Sequence, residues 1–319
     1  MKLIVSLVAS NSDTFDQFKA IWVNYIIKIK ELYPNLDISF YFLYSEVNVR
    51  KDNIISHFTQ DYKLVSKTKV NFSSPLYCDF YDEDITGEND RIRYISKSMF
   101  KRTLLFFKYL KDTNLLNNDT YVLRTNLTTL FDFNKLMNWL SNKPRNLFIG
   151  GSFNGGYQEN NTSLSGTNMI MSSDVINYLT NVPYNIEYLN QFSEDEIMSS
   201  LVIQHLSVYI INIKRLDLIE ISAIPNLNIP YIKPTICYHK CHINDESIFS
   251  FRFCTHNRLI DIDCMNILSN EINGTSTLKS YVSQIIDKYK LDLTTETPEY
   301  AELFSENTFK INTNKYFFI

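Results

Sequence analysis

The N-terminal stretch limits the possible folds more than any other part of the chain. Leu3 to Ala9 (LIVSLVA) is apolar almost without a break, as a strand covered on both faces must be. FDQFKAIWVNYIIKIKELY then sets apolar residues three and four apart, the period of a helix with one buried face, and stops at Tyr33 before Pro34. LDISFYFLYS returns to a strand pattern. Strand, helix and strand in that order predict a βαβ unit, and with it an α/β fold whose mixed, mostly parallel sheet is flanked by helices.

The alternation continues along the chain. We expect a third extended segment over 62–71, a polar and acidic loop over 72–92 and an amphipathic helix over 95–112. The strand TYVLRTN, a helix over FDFNKLMNWLSN and strands at NLFIGGSF and TNMIMSS come next. SDVINYLTN predicts a helix opened by Ser173 or Asp174, SEDEIM the start of another, and VYIINIKRLDLIEI further β structure. A shift in composition near 235 divides a core, 1–235, from a C-terminal extension, 236–319, in which SYVSQIIDKYKL reads as helix.

Composition excludes several classes. The 319 residues suffice for a complete enzyme core, and 31 Lys+Arg against 35 Asp+Glu give a net charge of -4, so the basic surface of a nucleic-acid binder is missing. An anionic ligand must then be met by a local basic cluster. The apolar run at the N-terminus is too short for a membrane span and has neither the basic flank nor the cleavage site of a signal peptide. Five cysteines, an odd number, fit reduced thiols, so the expected location is cytoplasmic. With Tyr 21 and Phe 22 against Gly 7, the composition follows AT-rich codons, and sequons such as Asn71-Phe72-Ser73 are expected by chance. No glycine-rich dinucleotide fingerprint, phosphate-binding P-loop or nucleophile elbow is present.

The informative stretches are Ser165-Gly166-Thr167-Asn168-Met169-Ile170-Met171-Ser172, a short helix after it, and then Glu194-Asp195-Glu196-Ile197. This order resembles the family of β1,3-galactosyltransferases and fringe-like glycosyltransferases, whose pattern is Ser-Gly-Thr-Gly-Tyr, two aliphatic residues and Ser, then a helix and Glu-Asp-Val. Leu147-Phe148-Ile149-Gly150 is similar to the family's strand ending in Gly, and the likeness spans roughly residues 1–215. It implies a GT-A-type, Rossmann-like domain that moves a hexose from a nucleotide sugar, a UDP-sugar by analogy, to a hydroxyl of a glycan or glycoconjugate with inversion. By the same resemblance Asp195 is the general base, with Glu194 beside it. Ser193 and Glu196 also have the spacing of a capping box, which is compatible with that role.

One departure matters. Where the family carries the Asp-x-Asp turn that holds a divalent cation against the donor diphosphate, this chain has Asn126-Leu127-Thr128. Neutral side chains do not supply that charge, so Mn2+ or Mg2+ would have to rest on Asp132 and His239. Without a metal, donor binding falls to Arg124, Thr125, Asn126 and Thr128 and to the cations Lys97, Arg252, His256 and Arg258, with Lys101, Arg102 and Lys240 as further basic candidates. Arg124 has an alternative use as the partner of a local carboxylate. Gly151, Ser165, Gly166 and Thr167 form the expected acceptor or sugar pocket, since glycines clustered over 150–166 allow close backbone approach or simply make tight turns. The Cys/His-rich segment from Cys237 to Cys264 has ligand types that zinc uses, but its apolar surroundings favour buried thiols. The alternative to an enzyme is a degenerate fold of this type that binds glycan or nucleotide.

Overall fold

The computed structural model describes residues 1–10, 12–47, 68–84, 91–152, 163–182, 193–213, 215–219, 235–237, 248–255, 257–272, 284, 288, 293–294 and 309–310. The expected βαβ unit is there. Strand β1 (Lys2–Val8) leads into α1 (Asp13–Leu32), which is capped by Ser12, and the chain returns as β2 (Ile38–Val47) parallel to β1.

The extended segment expected over 62–71 is met over its described residues by β3 (Thr68–Ser74), whereas the region expected to be a loop carries the end of β3 and a further strand. β3 turns at Pro75 into β4 (Tyr77–Asp84), which pairs in parallel with β2. The acidic residues disguised β4: Cys78 and Phe80 are buried, Phe80 packing on Phe106, while Asp79 between them points the other way and ion-pairs with Lys19 of α1 at 2.9 Å. A charge that finds a buried partner is compatible with a strand, and composition cannot show the partner.

Helix α2 (Arg91–Asp112) is followed by β5 (Thr120–Asn126), the short β6 (Thr129–Phe131), α3 (Phe133–Ser141) and β7 (Phe148–Gly151). β8 (Asn168–Ser172) runs into α4 (Ser173–Leu179), whose cap position is Ser172, one residue before the expected Ser173 or Asp174. The Asp174 carboxylate accepts from Ser172 Oγ and from the Leu147 amide, tying β7 to this helix start. α5 (Glu194–His205), β9 (Tyr209–Asn212), β10 (Arg215–Ile219), β11 (Thr235–Cys237), β12 (Ser250–Cys254), α6 (Arg258–Glu271), β13 (Leu293–Thr294) and β14 (Phe309–Lys310) complete the described elements. The helix expected over 280–291 lies almost wholly outside the described residues.

Among the described residues nine strands form the main sheet, in the order β14-β9-β7-β8-β5-β1-β2-β4-β3. β1, β2, β4, β5, β7 and β9 run one way, and β3, β8 and β14 run against them. The fold is therefore α/β with a mixed, mostly parallel, Rossmann-like sheet. Alternate residues of each central strand feed two cores. Leu3, Val5, Phe40, Phe42, Tyr121 and Leu123 pack with α1, α3 and α6, while Ile4, Tyr41, Leu43 and Val122 pack with α2, α4 and α5.

The second sheet has the order β13-β11-β10-β12-β6 and joins strands from both sides of position 235. Its register fixes one row of residues across the strands: Thr129, Arg252, Asp217, Cys237 and Thr294. Paired residues share a face, so Thr129, Arg252, Asp217 and, two residues along, Arg215 all face the same way. The opposite face carries Leu130, Phe251, Leu216 and Phe253, which enter the first core.

Candidate active site

Ligands of open α/β sheets sit beyond the carboxyl ends of the parallel strands. Here that edge is occupied by the end of β5, the turn Ser165–Thr167 that opens the antiparallel β8, and the first turn of α5. The two stretches singled out in the sequence meet there. The Gly166 amide donates to Asp195 Oδ2 at 2.9 Å across 29 positions of chain.

Two buried arginines grip this turn from opposite sides. Arg124, on β5, donates from Nη1 to the Gly166 carbonyl and pairs through Nη2 with Glu194. Only 4% of Arg124 and 3% of Glu194 are exposed, so this is an internal ion pair. Burial pulls the guanidinium down to about 10; the neighbouring Asp195 opposes that shift and Arg102 adds to it. It remains a cation at neutral pH. Arg215, on β10 of the second sheet, donates from Nη1 to Ser165 Oγ at 3.0 Å and to Thr167 Oγ1 at 2.5 Å. Its Nε and Nη2 make a two-pronged pair with the Asp217 carboxylate.

Gly166 owes its identity to this packing. A Cβ there would come within 2.4 Å of Arg124 Nη1 and 3.0 Å of Asp195 Cβ. The close approach expected from the glycine cluster is thus made by the chain's own side chains, and at Gly151 the nearest neighbour is the Leu164 side chain. Ser165 and Thr167 are buried and bonded to each other as well as to Arg215, and Thr125 Oγ1 donates to the Thr167 carbonyl.

Asp195 is half-buried. Its Oδ2 takes the Gly166 amide, and its Oδ1 takes Ser193 Oγ at 2.5 Å and the Glu196 amide at 3.2 Å. Glu196 reaches back to the Ser193 amide at 2.8 Å as the capping-box spacing requires. Asp195 shares this helix start with Ser193 and Glu196, its Oδ1 taking the Glu196 amide, so its carboxylate is oriented at a positive helix end.

The turn Asn126-Leu127-Thr128 closes on itself. Asn126 Oδ1 accepts from the Thr128 amide, Thr128 Oγ1 and Thr129 Oγ1 at 2.9–3.2 Å, and Leu127 is buried with its carbonyl taken by Trp22 Nε1. Asp132 is wholly buried, and its carboxylate accepts the Lys135 amide as the cap of α3. His239, His256 and Lys240 lie outside the described residues, and Lys97 falls on α2 with its side chain outside them. Among the described residues no three of His, Cys, Asp and Glu converge on a point that would hold a metal ion. The donor set at the strand end does not fit a divalent cation, which needs several carboxylate or carbonyl oxygens directed at one point.

The other basic candidates divide. Arg102 donates to the carbonyls of Ala9 and Leu43, tying α2 to the ends of β1 and β2, and Lys101 is buried beside it on the helix. Arg258 pairs with Asp261 at the start of α6. Arg252 keeps 31% of its side chain exposed, and its contact with Asp217 is 4.0 Å long. Sequence reasoning named Arg124 and Arg252 but missed Arg215, which lies in an apolar strand pattern with no motif around it. The one available signal was Arg215-x-Asp217, an alternation that puts opposite charges on one face of a strand.

Cys264 is buried in α6, Cys78 is buried and Cys254 half-buried, all as free thiols. No helix among the described residues is long and apolar enough to cross a membrane.

No family model matches the sequence, and no curated protein does. Several solved structures resemble the fold, three of them as follows. The galactosyltransferase LgtC in complex with donor and acceptor sugar analogs has 11% identity and a TM-score of 0.42, over 95% of this chain and 99% of that one. An active-site mutant of LgtC has 11% identity and a TM-score of 0.44, over 94% and 99%. A protein from Desulfovibrio desulfuricans G20, named as a candidate nucleotide-diphospho-sugar transferase, has 7% identity and a TM-score of 0.33, over 91% and 99%. Likeness at this level carries nothing about residues or chemistry, which rest on the geometry given above.

Proposed function

We propose that this chain is a glycosyltransferase of the GT-A type that moves a hexose from a nucleotide sugar, a UDP-sugar, to a hydroxyl of a glycan or glycoconjugate with inversion. The observation that carries the reading is the bond from the Gly166 amide to Asp195 Oδ2. It joins the two stretches whose order and spacing resemble the β1,3-galactosyltransferase and fringe-like family, at the sheet edge where α/β folds bind ligands. In this reading Asp195 accepts the proton of the acceptor hydroxyl as its oxygen attacks the anomeric carbon. The bond from that carbon to the diphosphate oxygen breaks, and the nucleoside diphosphate departs with the electron pair.

Arg124 then acts by holding Gly166, which bonds Asp195, and not on the donor, since its two terminal nitrogens are engaged by Gly166 and Glu194. Asp195 is half-buried beside a buried Glu194 and a Glu196 that is held on the Ser193 amide. The neutral, self-satisfied Asn126 turn favours a second reading, a glycan- or nucleotide-binding module without turnover. A panel of UDP-hexoses, followed by thermal shift and UDP release, separates the two. Stabilisation with UDP release supports the transferase, stabilisation without release supports a nucleotide-binding module, and the absence of both responses removes the transferase.

A further inference from the structure

The mismatch between the Asn126 turn and a divalent cation leaves open what neutralises a donor diphosphate, if the transferase reading above holds. The polar face of the second sheet offers an answer. Arg252 sits directly across from Thr129, whose hydroxyl donates to Asn126 Oδ1, so its side chain leaves the sheet on the side of the neutral turn. The Phe253 amide bonds to the Thr128 carbonyl at 2.8 Å, which fixes β12 against that turn.

The charges on this face are unequally used. Both oxygens of Asp217 are bonded by Arg215. Arg252 approaches Asp217 only to 4.0 Å, and among the described residues its buried Nε has no hydrogen-bond partner. Two residues earlier on the same face, the wholly buried Ser250 Oγ also has none. A guanidinium held, among the described residues, only by a 4.0 Å contact and partly exposed beside a turn that brings no negative charge suits a phosphate oxygen.

We propose that Arg252 is the diphosphate anchor of the donor site, standing where relatives by resemblance use a metal ion. It bonds the phosphate farther from the nucleoside through its terminal Nη donors and stabilises the charge that collects there as the bond to the sugar breaks. The inference rests on the transferase reading, and its test keeps the two apart.

The experiment is calorimetric titration of UDP and GDP into the wild-type protein, Arg252→Gln and Arg252→Lys, in EDTA and again in Mn2+. The expected result is nucleotide binding in EDTA, weakened at least ~10-fold by Arg252→Gln and less by Arg252→Lys, which keeps the charge but loses the fork. Melting curves accompany each titration. If Arg252→Gln does not fold, the Lys variant decides: intermediate weakening supports the anchor, and wild-type affinity overturns it. Undiminished binding by a folded Arg252→Gln, or wild-type binding that requires Mn2+, overturns the anchor and leaves the transferase reading standing. No binding of either nucleotide under any condition overturns both.

Discussion

Arg124 and Arg215 hold the same turn by the same chemistry, yet they differ in what stands behind them. Each is a buried guanidinium paired with a buried carboxylate, Glu194 for one and Asp217 for the other, and each bonds the Ser165–Thr167 turn. Arg124 belongs to the central sheet, and its partner is the neighbour of the proposed base. Arg215 belongs to the second sheet, and its partner has another arginine, Arg252, 4.0 Å away. The difference teaches which half of the grip is replaceable: a buried pair that loses one member is costly when nothing else can compensate the survivor.

The largest stability effect should therefore come from Arg124→Ala. It strands Glu194, and we expect a loss of about 3–5 kcal/mol in denaturant unfolding. Arg215→Ala should cost ~1–3 kcal/mol, because Arg252 can move toward Asp217. Equal losses would break the comparison. Gly166→Ala comes next. Its Cβ collides with the Arg124 terminus, so we expect ~1–3 kcal/mol from overpacking, together with a fall in turnover as Asp195 is displaced. Wild-type turnover in that variant would show that the Gly166–Asp195 contact has no part in the chemistry.

A smaller effect lies in the core behind the second sheet and calibrates the others. Burial, with Asp263 and Asp261 nearby, pushes the Cys264 thiol up from 9.0 to about 12. The folded state then holds a proton that the unfolded state releases, so this contribution to stability is present below pH 9 and is lost as pH rises toward 12. Stability measured between pH 8 and 10.5 should decline less in Cys264→Ala than in the wild type, relative to each protein's value at pH 8. The native thiol should also resist alkylation that urea-unfolded protein undergoes readily.

The two arginines also mark how far the sequence could be read. The βαβ opening, the helix over 95–112 and the strand that carries Arg124 announce themselves by hydrophobic period, which depends only on neighbours along the chain. β4 does not, because its acidic residue at 79 is matched by Lys19, 60 positions away. The two stretches that carry Gly166 and Asp195 were legible as a resemblance to a family, but the bond between them was not. Arg215 was not, since its role depends on the second sheet folding back over the turn, and no local pattern encodes that. Arg124 was named for its charge and placed by its strand, but its partner Glu194 decides that the charge is turned inward.

The central claim is that Asp195 takes the proton of an attacking hydroxyl. The most direct measurement is the rate of sugar transfer by Asp195→Asn, with the donor and acceptor that the wild type uses, beside its affinity for UDP. The account predicts affinity within about twofold of wild type and turnover lower by ~100-fold or more, the scale of general-base catalysis. Turnover equal to wild type in a folded Asp195→Asn would contradict it and leave Asp195 as the residue that pins the turn to the helix.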